Sequence, residues 1–361
     1  MISLGYVTSA YRSHWPVWKM SRAVSQAVLY NSCRALTASM STTLGAMALN
    51  LKKELTRLLA KAWNNISPDV LSDGAPEETP LPEDTARRIV EHYESENEQA
   101  ELENHDGSLP VLARLRPRGY WEDDWRARPT KQRPWPVILV HGTGASAGYF
   151  QELGTELRHD GWATFAVSYG HRATDPLASS AAQVGAYIDA VLAATGAEQA
   201  VVIGHSQGGV LPRWWMRHGG GAGKIRHLVT LGAPHHGTTH GGIVAQALTG
   251  EVGRRMADSI IDSWFGPAGF EQIHGSDFLA SINDDGDTEE GMSYTCIATH
   301  YDAVVQPPET AFLHTDRESA RVRNVWVQDL DPTSVVSHDN LPRDRRVRQL
   351  VRADLAALVN A

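Results

Sequence analysis

Gly204-His205-Ser206-Gln207-Gly208-Gly209 follows directly on the apolar run Ala200-Val201-Val202-Ile203. The Gly-x-Ser-x-Gly spacing suits a serine held on a sharp turn from a strand into a helix. Such a turn strains the serine backbone and presents its hydroxyl for nucleophilic attack. Gly204 and Gly208 lack the side chains that would collide inside it. The helix that begins there directs its positive end at developing negative charge. The pattern alone recurs by chance as an ordinary turn serine, but its place between an apolar strand and a helix favours a nucleophilic Ser206. A second group, His141-Gly142-Thr143-Gly144, follows the apolar run Val137-Ile138-Leu139-Val140. Acyl transfer needs preorganised donors for the oxyanion of its tetrahedral intermediate. The expected donors are the backbone N–H of Gln207, next to the nucleophile, and that of Thr143, in the loop after an early strand. Gly142 and Gly144 would let that backbone approach a substrate; a plain glycine turn is the alternative. His141 reads as a brace for the loop.

These residues need a scaffold that brings strand ends together. From Trp135 onward short apolar runs alternate with helical stretches. Strands are expected at Val137–Val140, Ala163–Ser168, Ala200–Ile203, His227–Leu231, Tyr294–Thr299 and Val322–Gln328. Helices are expected near Tyr149–His159, Ala178–Ala194 and Val210–Arg217. Alternation over about 225 residues implies βαβ units and a mostly parallel sheet flanked by helices. In such sheets sites gather where strands end, which is where both motifs fall.

The chain is 361 residues long, 42% hydrophobic and 21% charged, with a formal charge of −9. A nucleic-acid partner is not expected, because phosphate binding wants a basic face. The charge is concentrated: twelve acids lie between Asp73 and Asp106, opposed only by Arg87 and Arg88. That acidic, proline-containing stretch reads as a linker with one exposed helix near Thr85–Glu94. Before it, Leu51, Leu55, Leu58 and Leu59 recur at helical spacing among Lys52, Lys53, Arg57 and Lys61. Residues 51–63 therefore read as a basic amphipathic helix that either contacts a membrane surface peripherally or packs on its own protein. Residues 1–108 as a whole read as an N-terminal helical extension and linker, and 109–361 as the catalytic domain. Cys33 and Cys296 are far apart and lack a Cys/His cluster, so two unpaired thiols and no metal are expected. No uninterrupted apolar run reaches the length of a spanning helix. Ala35–Leu51 is a weak export signal at best; a cytoplasmic or envelope-associated protein is the first expectation and a secreted one the alternative.

Pro136–Gly144, Gly204–Gly209 and Leu231-Gly232-Ala233-Pro234-His235-His236-Gly237-Thr238 together resemble the bacterial triacylglycerol lipases of the α/β-hydrolase superfamily. The resemblance covers about Trp121 to Leu355. It implies the α/β-hydrolase fold, hydrolysis of carboxylic esters, often acylglycerols, and a Ser–Asp–His triad without a cofactor. In chain order the acid and then the base follow the serine. His300-Tyr301-Asp302-Ala303-Val304-Val305 is similar to the family's acid loop and makes Asp302 the expected acid, with Asp284, Asp285 and Asp287 as less well placed substitutes. Ser337-His338-Asp339-Asn340-Leu341, after an expected strand Val325–Asp329, resembles the family's histidine segment. His338 is the only histidine after His314 and is the expected base; His235 and His236 precede the acid and are expected to shape the pocket wall or a turn. Residues 238–270 form an insertion whose apolar and glycine residues suit either a lid over an acyl pocket or an ordinary helical excursion. Secreted relatives carry cysteines where this chain has Arg126, Ala127 and Arg128, and again where it has Asp331; without them a secreted form lacks those bridges.

Two alternatives share this reading: an acyltransferase or thioesterase on the same triad, or a catalytically silent scaffold binding a lipid or partner. Neither the acyl-chain length nor the oligomeric state is legible.

Overall fold

The central strands are apolar at successive positions because both of their faces are covered. Ile138 and Val140 pack with Phe165, Val202, Ile188 and Leu211 on one side. Val137 and Leu139 pack with Leu153, Ile203, Val229 and Val351 on the other. Alternate side chains point to opposite faces of a strand, so a continuous run such as Val137–Val140 feeds two cores at once, and all four residues are fully buried. The computed structural model describes residues 109–239 and 250–360, of which 250–257 are described by their backbone. The expectations for the amphipathic helix at 51–63, the acidic linker and Cys33 lie outside the described residues.

Six strands form one sheet in the order β2-β1-β3-β4-β5-β6. They are β1 (Val137–Val140), β2 (Thr164–Val167), β3 (Ala200–His205), β4 (Ile225–Leu231), β5 (Ser293–Ala298) and β6 (Arg321–Trp326), and every pairing is parallel. Helix α1 (Gln151–His159) and a C-terminal helix contribute to one core; α2 (Leu177–Thr195) and α3 (Gln207–His218) contribute to the other. By length and composition α2 is the one described helix apolar enough to cross a membrane, yet it packs against the sheet through Leu177, Val184, Ile188 and Val191, all fully buried. The chain enters the sheet at β1, steps outward to β2 and returns past β1 to β3. Loops after β1 and β3 therefore meet where the winding reverses, the place where open parallel sheets hold ligands. Register fixes the meeting point: Val140 pairs with Gly204, which sets Gly142 beside Ser206.

The insertion after β4 carries α4 (Gly250–Phe265) and α5 (Pro267–Glu271). It is pinched at its root by a parallel bridge between Thr238 and Ile273, with Thr238 N–H donating to Gln272 O at 3.0 Å and His274 N–H to Thr238 O at 2.9 Å. Then come α6 (Asp277–Asn283), capped by Ser276 Oγ, and finally α7 (Arg345–Val359), capped by Asp344.

Most boundaries shift by one to three residues from expectation, and two of the shifts have a plain cause. Helix α3 starts at Gln207, not near Val210, because the strained turn at Ser206 feeds straight into it. Strand β6 stops at Trp326, and Val327–Leu330 is a helical turn. There the Asp329 carboxylate accepts the Trp326 N–H at 3.2 Å, which ends the ladder. Cys296, on β5, is a free buried thiol whose pKa burial pushes up to about 11.

Candidate active site

Ser206 joins β3 to α3 with φ 53 and ψ −127, a left-handed backbone that L-residues rarely adopt. Its N–H donates to Leu231 O at 2.9 Å, tying the turn to the end of β4. The flanking glycines are sterically required. A Cβ on Gly204 would lie 2.2 Å from Gly208 O, and one on Gly208 would lie 2.2 Å from Val140 O. A Cβ on Gly142 would lie 2.9 Å from Ser206 Cβ, so the loop after β1 runs directly against the serine.

Asp302 and His338 come from the loops after β5 and β6. His338 Nδ1 donates to Asp302 Oδ2 at 2.7 Å, with both side chains almost wholly buried. The other carboxylate oxygen, Oδ1, accepts the N–H groups of Val304 and Val305, each at 2.8 Å. Burial alone would depress the His338 pKa, but the Asp302 charge and its hydrogen bond outweigh it and raise the value above the ordinary imidazole range. Gly232, with φ +59, makes room for the pair. A Cβ there would stand 3.1 Å from His338 Nδ1 and 3.3 Å from Asp302 Oδ2. His205 links the pair to the serine turn: its Nε2 donates to His338 O at 3.1 Å, and the two rings lie 4.9 Å apart. Burial holds His205 well below the ordinary pKa, so it acts as a neutral spacer.

The substitutes for the acid are occupied elsewhere. Asp285 pairs with Arg317 at 2.7 Å. Asp287 lies 3.2 Å from His236 and accepts the His314 N–H; these partners outweigh its burial and draw its pKa down to about 2. Asp284 stands at the C-terminal boundary of α6. His235 contacts Thr230 Oγ1 at 3.1 Å and the buried Arg213. His141 donates from Nδ1 to Gly142 O at 2.9 Å and stacks on Tyr169. Burial lowers its pKa to about 4, which suits a brace.

The side chains of the two expected oxyanion residues are joined. Thr143 Oγ1 donates to Gln207 Oε1 at 2.6 Å. Gln272, at the root of the insertion, adds Nε2 contacts of 3.2 Å to Thr143 Oγ1, 3.3 Å to Gln207 Oε1 and 2.9 Å to Ala268 O. A second amide straps the loops that carry Asp302 and His338. Gln328 Nε2 donates to Thr299 Oγ1 and Ser334 O, both at 3.1 Å, and Thr299 Oγ1 donates to Val336 O at 2.8 Å. Sequence reasoning missed Gln272 and Gln328, since isolated glutamines carry no spacing signal; Gly232 was present in a quoted motif but without a role. Among the described residues no group of three or more His, Cys, Asp or Glu side chains is placed to hold a metal.

Comparison with known proteins agrees with this architecture. The model of the family "Lipase (class 2)" matches residues 134–349. Two triacylglycerol lipases, from Pseudarthrobacter phenanthrenivorans and Burkholderia plantarii, are each 29% identical over 161 residues, 42% of this chain. The match spans 47% and 42% of those relatives, less than half of their length. The crystal structure of Aspergillus fumigatus lipase B superimposes with a TM-score of 0.50 at 17% identity, over 65% of this chain and 59% of that one; this likeness concerns the fold. The family match spans more than half of the chain, across both loops that carry Thr143 and Ser206 and those that carry Asp302 and His338, and the chain belongs to the class 2 lipases, with an α/β-hydrolase fold.

Proposed function

We propose that this chain hydrolyses carboxylic esters, acylglycerols foremost, through an acyl-enzyme on Ser206. The observation that carries the reading is the buried Asp302–His338 contact of 2.7 Å, held against the strained serine turn by the His205–His338 hydrogen bond. In the first half-reaction Ser206 Oγ attacks the ester carbonyl carbon and its proton passes to His338 Nε2. Asp302 keeps the Nδ1 proton in place and stabilises the imidazolium that forms. The carbonyl π electrons move to oxygen, where the backbone N–H groups of Thr143 and Gln207 receive the charge. Collapse expels the alcohol, which takes the proton from His338. Water then attacks the acyl-enzyme by the same route and releases the carboxylic acid and free Ser206. The class 2 family membership supports a lipid ester as substrate, and an apolar insertion rooted at Gln272, beside Thr143 and Gln207, suits an acyl chain.

The test is hydrolysis of p-nitrophenyl esters from acetate to palmitate, and of emulsified triacylglycerol, by the full chain and by Ser206→Ala. Expected is activity that the substitution lowers by up to about a millionfold, with loss of fluorophosphonate labelling. Full turnover by Ser206→Ala would overturn the assignment.

A further inference from the structure

Gly170, His171, Arg172 and Ala173 have φ values of 58°, 42°, 63° and 60°. Three of these four residues carry a Cβ, and L-residues rarely string together left-handed conformations. The turn is closed by its own bonds, Ala173 N–H to Tyr169 O at 2.9 Å and Thr174 N–H to Gly170 O at 2.8 Å. If only the backbone shape mattered at position 172, glycine or asparagine would suit it better. Arginine stands there instead, and both its main chain and its side chain reach one residue of the loop after β1. Gly144 N–H donates to Arg172 O at 2.7 Å. The guanidinium donates back to Gly144 O from Nε at 3.1 Å and from Nη2, while Nη1 donates to Leu115 O at 2.7 Å.

The two contacts act on different peptide planes. The Gly144 N–H lies in the Thr143–Gly144 plane, and the Gly144 carbonyl lies in the Gly144–Ala145 plane, so Arg172 fixes both sides of the Gly144 Cα. The Gly144–Ala145 plane also carries the Ala145 N–H, which donates to Gly142 O at 3.1 Å. Gly142 O belongs to the plane that bears the Thr143 N–H. A continuous line of rigid peptide units thus runs from the guanidinium to the expected oxyanion donor. We infer that Arg172 is a positioning residue: through Gly144 and Ala145 it sets the direction of the Thr143 N–H toward the oxyanion. This rests on the ester-hydrolase reading of the site. The planar fork is needed because Nε and Nη2 share Gly144 O while Nη1 takes Leu115 O; an ammonium offers no such spread.

The experiment compares the full chain with Arg172→Gly and Arg172→Lys, after thermal melts have verified folding. Arg172→Gly removes the guanidinium and relieves the backbone, so its melting temperature should not fall far while its chemistry does. Measured are kcat and KM on a p-nitrophenyl ester and the Ki of an alkyl boronic acid, whose tetrahedral adduct on Ser206 mimics the intermediate. Loss of one oxyanion donor costs about 10²–10³ in kcat; misdirecting one should cost roughly 10–100-fold, with KM within about threefold. The boronate Ki should weaken by the same factor as kcat/KM, and free guanidinium, but not sodium chloride at equal ionic strength, should restore part of the rate. Arg172→Lys should fall between the two. A kcat within twofold of wild type in Arg172→Gly, or a boronate Ki unmoved while kcat falls, would overturn the proposal. A wild-type chain inert to esters and to fluorophosphonate would instead overturn the hydrolase reading on which it rests.

Discussion

Thr143 and Gln207, 64 positions apart in the chain, meet side chain to side chain at 2.6 Å. The residues expected to supply the two backbone donors thus also hold each other, and Gln272 holds both. The direction of the bond matters. With Gln272 Nε2–H donating to Thr143 Oγ1, the threonine proton is turned toward Gln207 Oε1, which in the proposed mechanism leaves the oxyanion to main-chain N–H groups.

Gln272→Leu should therefore lower kcat by about tenfold, the order of one buried hydrogen bond of roughly 1–1.5 kcal/mol. Gln272→Glu should be worse above the pKa of the new carboxyl, because a carboxylate would face the developing oxyanion, and should recover as that group is protonated. A pH series of kcat for the two variants separates these outcomes; identical profiles would mean the contact is only packing.

The His338–Asp302 pair fixes the sign of the pH dependence. In the proposed mechanism His338 must be neutral to take the serine proton, and its pKa is raised by Asp302 against the effect of burial. The acid limb of kcat/KM should therefore lie above the ordinary imidazole range, with activity rising as pH rises through it. For stability the sign is opposite: a raised folded-state pKa contributes below the unfolded pKa and is lost as pH rises through the folded one. Asp302→Asn should drop kcat by about 10⁴ and move the limb downward. A limb that stays in place would show that another group controls it.

Gly208→Ala places a methyl 2.2 Å from Val140 O and 2.5 Å from His141 O, both backbone atoms. Overpacking of this kind costs about 1–3 kcal/mol, here with no flexible neighbour to yield. A lower midpoint in urea, together with slower acylation of the folded fraction, is expected. Unchanged stability would mean that the turn is looser than its contacts imply.

A second buried His–Asp pair provides a contrast. His227 Nε2 lies 2.8 Å from Asp354 Oδ2, and its Nδ1 lies 2.8 Å from Ser293 Oγ. The residue types match the proposed triad, but Ser293 begins a strand instead of sitting on a strained turn, and the cluster lies near the opposite ends of β4 and β5. His227→Leu should cost about 1–3 kcal/mol, the order of leaving buried polar partners unmet, because Arg323 and Thr295 still hold Asp354 Oδ1 at 3.0 Å each, while the folded fraction keeps its kcat. A selective loss of kcat at unchanged stability would contradict this.

The sequence made the scaffold legible where periodicity was strong. Val137–Val140 and Ala200–Ile203 read as strands from their unbroken apolar runs, and both are fully buried. Ser206 was singled out by its place between strand and helix, and Asp302 and His338 by chain order and by the resemblance of their segments to the lipases; the structure brings Asp302 and His338 into contact at 2.7 Å. The end of β6 was not, since Val325-Trp326-Val327 is apolar throughout and only the Asp329 side chain, folding back on Trp326 N–H, ends the strand. Gln272, Gln328 and Arg172 were equally hidden. Each acts on residues distant in sequence, and nothing in their neighbours' spacing records the contact.

The pinch between Thr238 and Ile273 has a further consequence. It brings the two ends of the insertion together independently of the residues between them. Loop closure then depends on the logarithm of length, so doubling the segment would cost only about 0.6 kcal/mol. A flexible stretch added between Thr238 and the start of α4 would therefore carry little closure penalty, while Ile261, Trp264 and Ala268 stay buried and the sheet inherits the same strand ends. The insertion and the sheet that carries it are free to change at different rates.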